Sequence, residues 1–213
     1  IDDKFVKPII LEEREDELKG IQYIIDEIDP ENIIEAEGDV RIEGGDVMPW
    51  NEYVFVGYSE PEDFNKYQVS RTNVAGLEFL RKHFPNKKVK GFELVKSDEN
   101  AKDNALHLDC CFQPIGKNEA IIYKGGFKNE DDYNFLVNYF GRENVIDISR
   151  EEMYNMNSNV FSISPTVVVS ERGFTRLNQI MRDRGFTVEE IKYSETAKME
   201  GLLRCSTMPL IRI

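Results

Sequence analysis

The chain has 213 residues, of which 40% are hydrophobic and 31% charged, with a formal net charge of −13. That is the composition of an ordinary globular protein with room for one good core or two small ones. The acidic balance argues against a nucleic-acid partner, and no apolar run approaches the roughly 20 residues that a membrane span requires.

Residues 11–28 predict a helix, with Leu18, Ile21, Ile25 and Ile28 on one face and Pro30 as its stop. A pattern then recurs. Val40–Ile42 and Tyr53–Tyr58 read as strands, Thr72–Phe84 as a helix closed by Pro85, and Val89–Val95 as a strand. The second cycle has strands at Leu106–Phe112 and Ala120–Tyr123, a helix over 130–140 ended by Gly141, and the strand Val145–Ile148. The third has Val160–Ile163, Val167–Val169, a helix over 172–184 ended by Gly185, and Val188–Ile191. A last strand, Leu202–Ile213, starts a unit that it does not finish. The class is therefore α/β, built from strand-strand-helix-strand units. A repeat on this scale buries its apolar faces by arraying units. The unfinished last unit favours closure into a ring.

The chemistry-bearing residues occupy equivalent places in this repeat. Glu43-Gly44-Gly45-Asp46 follows the first strand of one unit, and His107-Leu108-Asp109 lies on the first strand of the next. Asn157 and Asn159 open the third unit, and Cys205 lies on the strand of the last. In a pseudosymmetric ring these positions converge on one central pit. A cysteine, a histidine and carboxylates on separate segments are the set needed for covalent catalysis. Each also has a plainer reading. A free cysteine is usually a core residue, a lone histidine in an apolar strand is usually a satisfied one, and Gly-Gly is first of all a turn. Cys205 nevertheless sits in a polar setting, between Arg204 and Ser206-Thr207, and His107 is the better proton shuttle of the two histidines. His83 closes a helix, where a cation suits the dipole. Arg71, just ahead of a helix, is either solvated or a clamp for a substrate carboxylate.

The three cysteines, with Cys110 and Cys111 adjacent, make a poor disulfide framework and fit a reducing, cytoplasmic compartment. Cys110 and Cys111 read as packing residues. No Cys-x-x-Cys or His-x-x-x-His spacing offers a zinc site.

Four stretches together resemble the guanidine-modifying enzymes of the pentein superfamily, which include arginine deiminase, dimethylarginine dimethylaminohydrolase and the amidinotransferases. They are Ile42-Glu43-Gly44-Gly45-Asp46-Val47, Ser70-Arg71-Thr72-Asn73 with Gly76, His107-Leu108-Asp109 with Phe112, and Arg204-Cys205-Ser206-Thr207-Met208-Pro209. The resemblance runs from about Gly38 to the C-terminus and implies a pentein α/β-propeller forming a single catalytic domain over 1–213. A further anchoring carboxylate of the family has no counterpart before Glu43, where Asp2-Asp3 and Asp26 do not match. Part of the N-terminal unit is therefore expected to be absent. The stretch Tyr58–Ser70 is also longer than the tight linker expected of the deiminases.

The resemblance implies a chemistry as well. A small cationic guanidino substrate lies between Glu43 and Asp109, with Arg71 on its carboxylate and Asp46 nearby in the substrate site. Cys205 attacks the guanidinium carbon, and His107 protonates the departing nitrogen. Water then releases a ureido product in a hydrolase, or an acceptor amine takes the amidino group in an amidinotransferase. No cofactor and no metal are implied; a homo-oligomer is compatible. The hydrolase of arginine or an arginine derivative is the favoured reading. A reading of another class is a pentein ring that serves only as a binding module.

Overall fold

The computed structural model describes residues 1–9, 15–198 and 201–209. The N-terminal part is a short parallel pair, β1 (Phe5–Lys7) and β2 (Ile33–Glu35), connected through α1 (Glu15–Gly20) and α2 (Gln22–Ile25). The chain then makes one move three times. An antiparallel hairpin is followed by a helix, and a third strand returns parallel to the second. The first round is β3 (Val47–Trp50), β4 (Tyr53–Tyr58), α3 (Pro61–Lys66), α4 (Val74–His83) and β5 (Lys88–Glu93). The second is β6 (Phe112–Ile115), β7 (Glu119–Ile122), α5 (Glu130–Phe140) and β8 (Val145–Asp147). After α6 (Arg150–Tyr154), the third is β9 (Phe161–Ser162), β10 (Val167–Glu171), α7 (Thr175–Asp183) and β11 (Thr187–Ile191). Helix α8 (Ser194–Ala197) follows.

Local chemistry sets these boundaries. Asn73 caps α4 by accepting a hydrogen bond from the Gly76 N–H at 2.9 Å, and Asn129 caps α5 from the Asp131 N–H. Gly141 ends α5 at φ 85°, a conformation open to glycine at little cost. Ser149 and Glu152 form a capping box that starts α6, a helix the apolar pattern does not reveal.

Side chains of β4 alternate between two cores, as the period of a strand requires. Val54 and Val56 join Ile42, Leu77, Leu80 and Phe84 in a cluster under α4. Phe55 points the other way, into a larger cluster with Phe92, Phe112, Ile121, Val168 and Leu202 that draws on all three repeats. This larger core is what brings residues from distant parts of the chain to one place. Burying each such side chain contributes about 1.5–3 kcal/mol.

The structure corrects the sequence reading in four places. Val40–Ile42 forms no strand, because Asn73 already accepts from the Arg41 N–H at 3.1 Å and donates its own N–H to the Arg41 carbonyl at 3.2 Å. The segment lies against the start of α4, and a Cβ on Gly76 would come within 2.2 Å of the Arg41 oxygen. Leu106–Phe112 is not a strand either. Leu108–Cys110 is a 3-10 turn, and pairing begins only at Phe112. Leu108, Cys110, Cys111 and Phe112 are buried all the same, and periodicity alone does not tell a buried apolar run in a turn from one in a strand. The helix expected over 11–28 is broken at Ile21, leaving the two short helices, and its first residues lie outside the described ones. The last strand, Leu202–Ile213, is a turn over 203–206, while 210–213 lie outside the described residues.

Candidate active site

Glu43, Asp46, His107 and Asp109 sit in tight turns just before the first strand of a unit, not on the strand itself, while Cys205 lies in the turn over 203–206 and Arg71 just ahead of α4. The turns share a hydrogen bond that spans three residues. The Asp46 N–H donates to the Glu43 carbonyl at 3.0 Å, Cys110 to His107 at 3.1 Å, and Asn159 to Met156 at 2.9 Å. Glu43, His107 and Met156 are thus equivalent, and so are Asp46, Cys110 and Asn159. Side chains from one turn fasten the next. Asp46 accepts from the Leu108 N–H at 2.8 Å, Ser158 donates to the Asp109 carbonyl at 2.9 Å, and Asn159 accepts from the N–H groups of Arg204 at 3.0 Å and Cys205 at 3.2 Å.

Two chemical groups result. In the first, His107 Nε2 lies 2.7 Å from Glu43 Oε2, and Arg71 Nε lies 3.6 Å from Glu43 Oε1. Burial works against the imidazolium. The hydrogen bond to Glu43 and the charges of Asp46, Asp109 and Glu43 outweigh it and hold the His107 pKa above its ordinary value. In the second group, the Cys205 sulfur lies 3.6 Å from Asp109 Oδ2 and accepts from Asn159 Nδ2 at 3.2 Å. Cys205 as a residue is exposed, yet its thiol is flanked on two sides. Burial of the thiol and the Asp109 carboxylate push its pKa up to about 12. His107 and Asp109 share one turn, and that turn brings the two groups side by side.

Glu43, His107 and Arg71 are thus brought together, as are Asp109 and Cys205. Asp46 takes a different place from the one expected. It is 1% exposed, and its two carboxylate oxygens accept from Thr72 Oγ1 at 2.7 Å and from the Leu108 N–H. It binds the Glu43 turn to the His107 turn, with both carboxylate oxygens taken by donors of the protein. Glu43, one of the two carboxylates expected to flank the substrate, is engaged with His107 and Arg71. A Cβ on Gly45 would lie 2.8 Å from the His107 ring, so the glycine makes room for the histidine. Cys110 and Cys111 are buried and free, as packing residues should be, and burial raises both pKa values. Asn159 had a place in the repeat but no role, and Thr72 was only part of a motif. The one signal for Asn159 was a polar run, Asn157-Ser158-Asn159, entering an apolar strand; all three are buried.

A family model described as N,N dimethylarginine dimethylhydrolase, eukaryotic, matches residues 11–212. The chain belongs to this family. It thereby falls within the pentein guanidino-modifying superfamily. YkgA of Bacillus subtilis (strain 168), an uncharacterized protein, is 32% identical over 174 residues, covering 82% of this chain and 54% of that protein. An arginine deiminase of Staphylococcus haemolyticus is 27% identical over 215 aligned positions, covering 84% of this chain and 49% of the deiminase. The chain spans about half the length of these relatives.

Solved structures share the mixed α/β fold. The N-terminal domain of ArgZ, an arginine dihydrolase from cyanobacteria, superposes with a TM-score of 0.78 at 18% identity, over 98% of this chain and 71% of that one. The dimethylarginine dimethylaminohydrolase of Pseudomonas aeruginosa, complexed with citrulline, gives 0.71 at 20% identity, over 94% and 68%. Among the described residues, no helix of this family member is long and apolar enough to cross a membrane.

Proposed function

We propose that this chain carries the catalytic site of a guanidino-group hydrolase acting on arginine or an arginine derivative, with its repeated units arranged as the blades of a pentein propeller. The observation that carries the reading is the Cys205 thiol, held between Asp109 and Asn159 beside a hydrogen-bonded His107–Glu43 pair. The family membership and the arginine deiminase relative support it.

In this mechanism Asp109 holds the planar guanidinium over the sulfur. The free thiol is protonated at neutral pH; its burial first, and then the carboxylate beside it, raise its pKa. An incoming cation offsets the Asp109 charge and makes thiolate formation easier, so nucleophile and substrate activate each other. The thiol proton is lost to solvent as the substrate binds, and the sulfur forms a bond to the guanidinium carbon. His107, entering as the imidazolium favoured by its carboxylates, gives its proton to the departing nitrogen, and the C–N bond breaks to release ammonia or an amine. The neutral imidazole then takes a proton from water, whose oxygen adds to the amidino carbon. Collapse expels the Cys205 sulfur and leaves a ureido product. Glu43 orients His107 and stabilises its charged form, while Arg71 lies where it can meet a substrate carboxylate.

The test is Cys205→Ala in the purified protein, assayed for ureido product and ammonia from arginine and methylated arginines. The expected result is loss of turnover with an unchanged melting temperature. Retained turnover would remove Cys205 as nucleophile.

A further inference from the structure

The segment that leaves β5 touches the two segments that carry His107 and Arg71 without belonging to either. Its backbone is anchored: the Leu94 N–H donates to the Tyr58 carbonyl and the Val95 N–H to the Gly126 carbonyl, each at 3.0 Å, and Val95 accepts from the Ala105 N–H. From this fixed base two charged side chains point in different directions. Lys96 is 6% exposed, and its Nζ donates to the carbonyls of Ala105 at 2.8 Å and Leu106 at 2.7 Å, the two residues directly before His107. Asp98 is exposed, and its carboxylate accepts from the N–H groups of Gln68 at 3.0 Å and Val69 at 3.2 Å. The Gln68 carbonyl in turn accepts from the guanidinium of Arg71.

Neither side chain is explained by the fold alone. A buried ammonium is costly to keep, and normally a carboxylate compensates it. No carboxylate lies within ion-pair distance of Lys96 among the described residues; two carbonyls hold it, and the buried Asp46 carboxylate supports its charge from farther away. Those carbonyls need a donor, and Lys96 supplies one to both. Asp98 does the equivalent for the 67–70 loop, whose amides would otherwise face solvent with nothing to fix their direction.

We propose that Leu94–Asp98 is a positioning strut with two independent ends: Lys96 sets the His107 turn and thereby the proton-transfer step, while Asp98 sets the Arg71 loop and thereby recognition of a substrate carboxylate. This rests on the guanidino-hydrolase reading for its catalytic consequences, but the strut itself can be observed without turnover. Neither residue touches the reacting atoms, so both are positioning residues.

The experiment compares Lys96→Gln, Lys96→Met and Asp98→Asn with the wild type on arginine and on agmatine, which has no carboxylate. Lys96→Gln should lower kcat about 10- to 100-fold for both substrates with KM within about twofold, since misplacing a proton donor costs the chemical step and not ground-state binding. Lys96→Met, which removes both hydrogen bonds, should be lower still if it folds. Asp98→Asn, a change at an exposed side chain, should raise KM for arginine about tenfold, leave kcat within about twofold, and leave agmatine unchanged. Equal effects of the two ends on both parameters, or an equal effect of Asp98→Asn on both substrates, would overturn the proposal.

Two measurements apply even if no guanidino compound is turned over, an outcome that would count against the function and not the strut. The chain has two histidines, His83 and His107, so their ring signals can be assigned by NMR. Lys96→Gln should move the His107 signals and spare His83, and Asp98→Asn should speed hydrogen exchange at the Gln68 and Val69 amides. Unmoved His107 signals or unchanged exchange would overturn the corresponding end.

Discussion

Asp109→Asn should make the Cys205 thiol more reactive in the free protein. The carboxylate oxygen lies 3.6 Å from the sulfur, and two unit charges at that distance repel by about 1 kcal/mol in water and about 5 kcal/mol at an effective dielectric of about 20. Cys205 is an exposed residue, so the watery end of that range applies, and the thiol pKa should fall from about 12 by about 1–2 units. A less basic thiolate is also a weaker nucleophile, with a Brønsted slope of about 0.4–0.5, so the gain in rate at fixed neutral pH shrinks to about 3- to 16-fold. The assay is the rate of reaction with a small aromatic disulfide, read by absorbance and located by mass spectrometry. Cys110 and Cys111 are buried and do not compete. Asn159→Ala should act in the opposite sense, because it removes the donor 3.2 Å from the sulfur, and so should slow the same reaction. A thiol pKa that is unchanged or higher in Asp109→Asn would refute the claim that this carboxylate raises the pKa of the free thiol.

Three further outcomes are expected. Thr72→Val should cost about 2–4 kcal/mol in urea unfolding, since it strips a buried carboxylate of its donor and leaves the Glu43 N–H without its acceptor at 3.1 Å. Gly45→Ala should keep the fold but displace the His107 ring, which its Cβ would approach to 2.8 Å; turnover should fall about 100-fold, and near-normal turnover would show that the ring has room to spare. The raised folded pKa of His107 makes its stabilising contribution fully present below its ordinary value of 6.5, and lost as pH rises through the folded value. Wild type should therefore lose stability relative to Glu43→Gln as pH rises across that window, and parallel pH profiles for the two would argue against the His107–Glu43 pair as its source.

The one-dimensional pattern alone determined the repeat, because the apolar spacing of Tyr53–Tyr58, of α5 and of β10 reports local backbone geometry. It also determined which residue types could perform covalent chemistry, and in which order they come, since Glu43, Arg71, His107, Asp109 and Cys205 are separate motifs in the chain. Tertiary structure decided what each side chain faces. Asp46 reads like Glu43 in sequence, yet the Leu108 N–H and Thr72 take both of its carboxylate oxygens. Val40–Ile42 and Leu106–Phe112 carry strand-like residues, but Asn73 and the Leu108–Cys110 turn claim their backbone hydrogen bonds first. Asn159 and Lys96 could not be recognised from their neighbours, because their partners lie 46 residues ahead at the thiol and about ten residues ahead at two carbonyls. Periodicity records how a segment buries its own face; the partners of a buried polar atom are set only when the units pack, and the candidate site is made of such atoms.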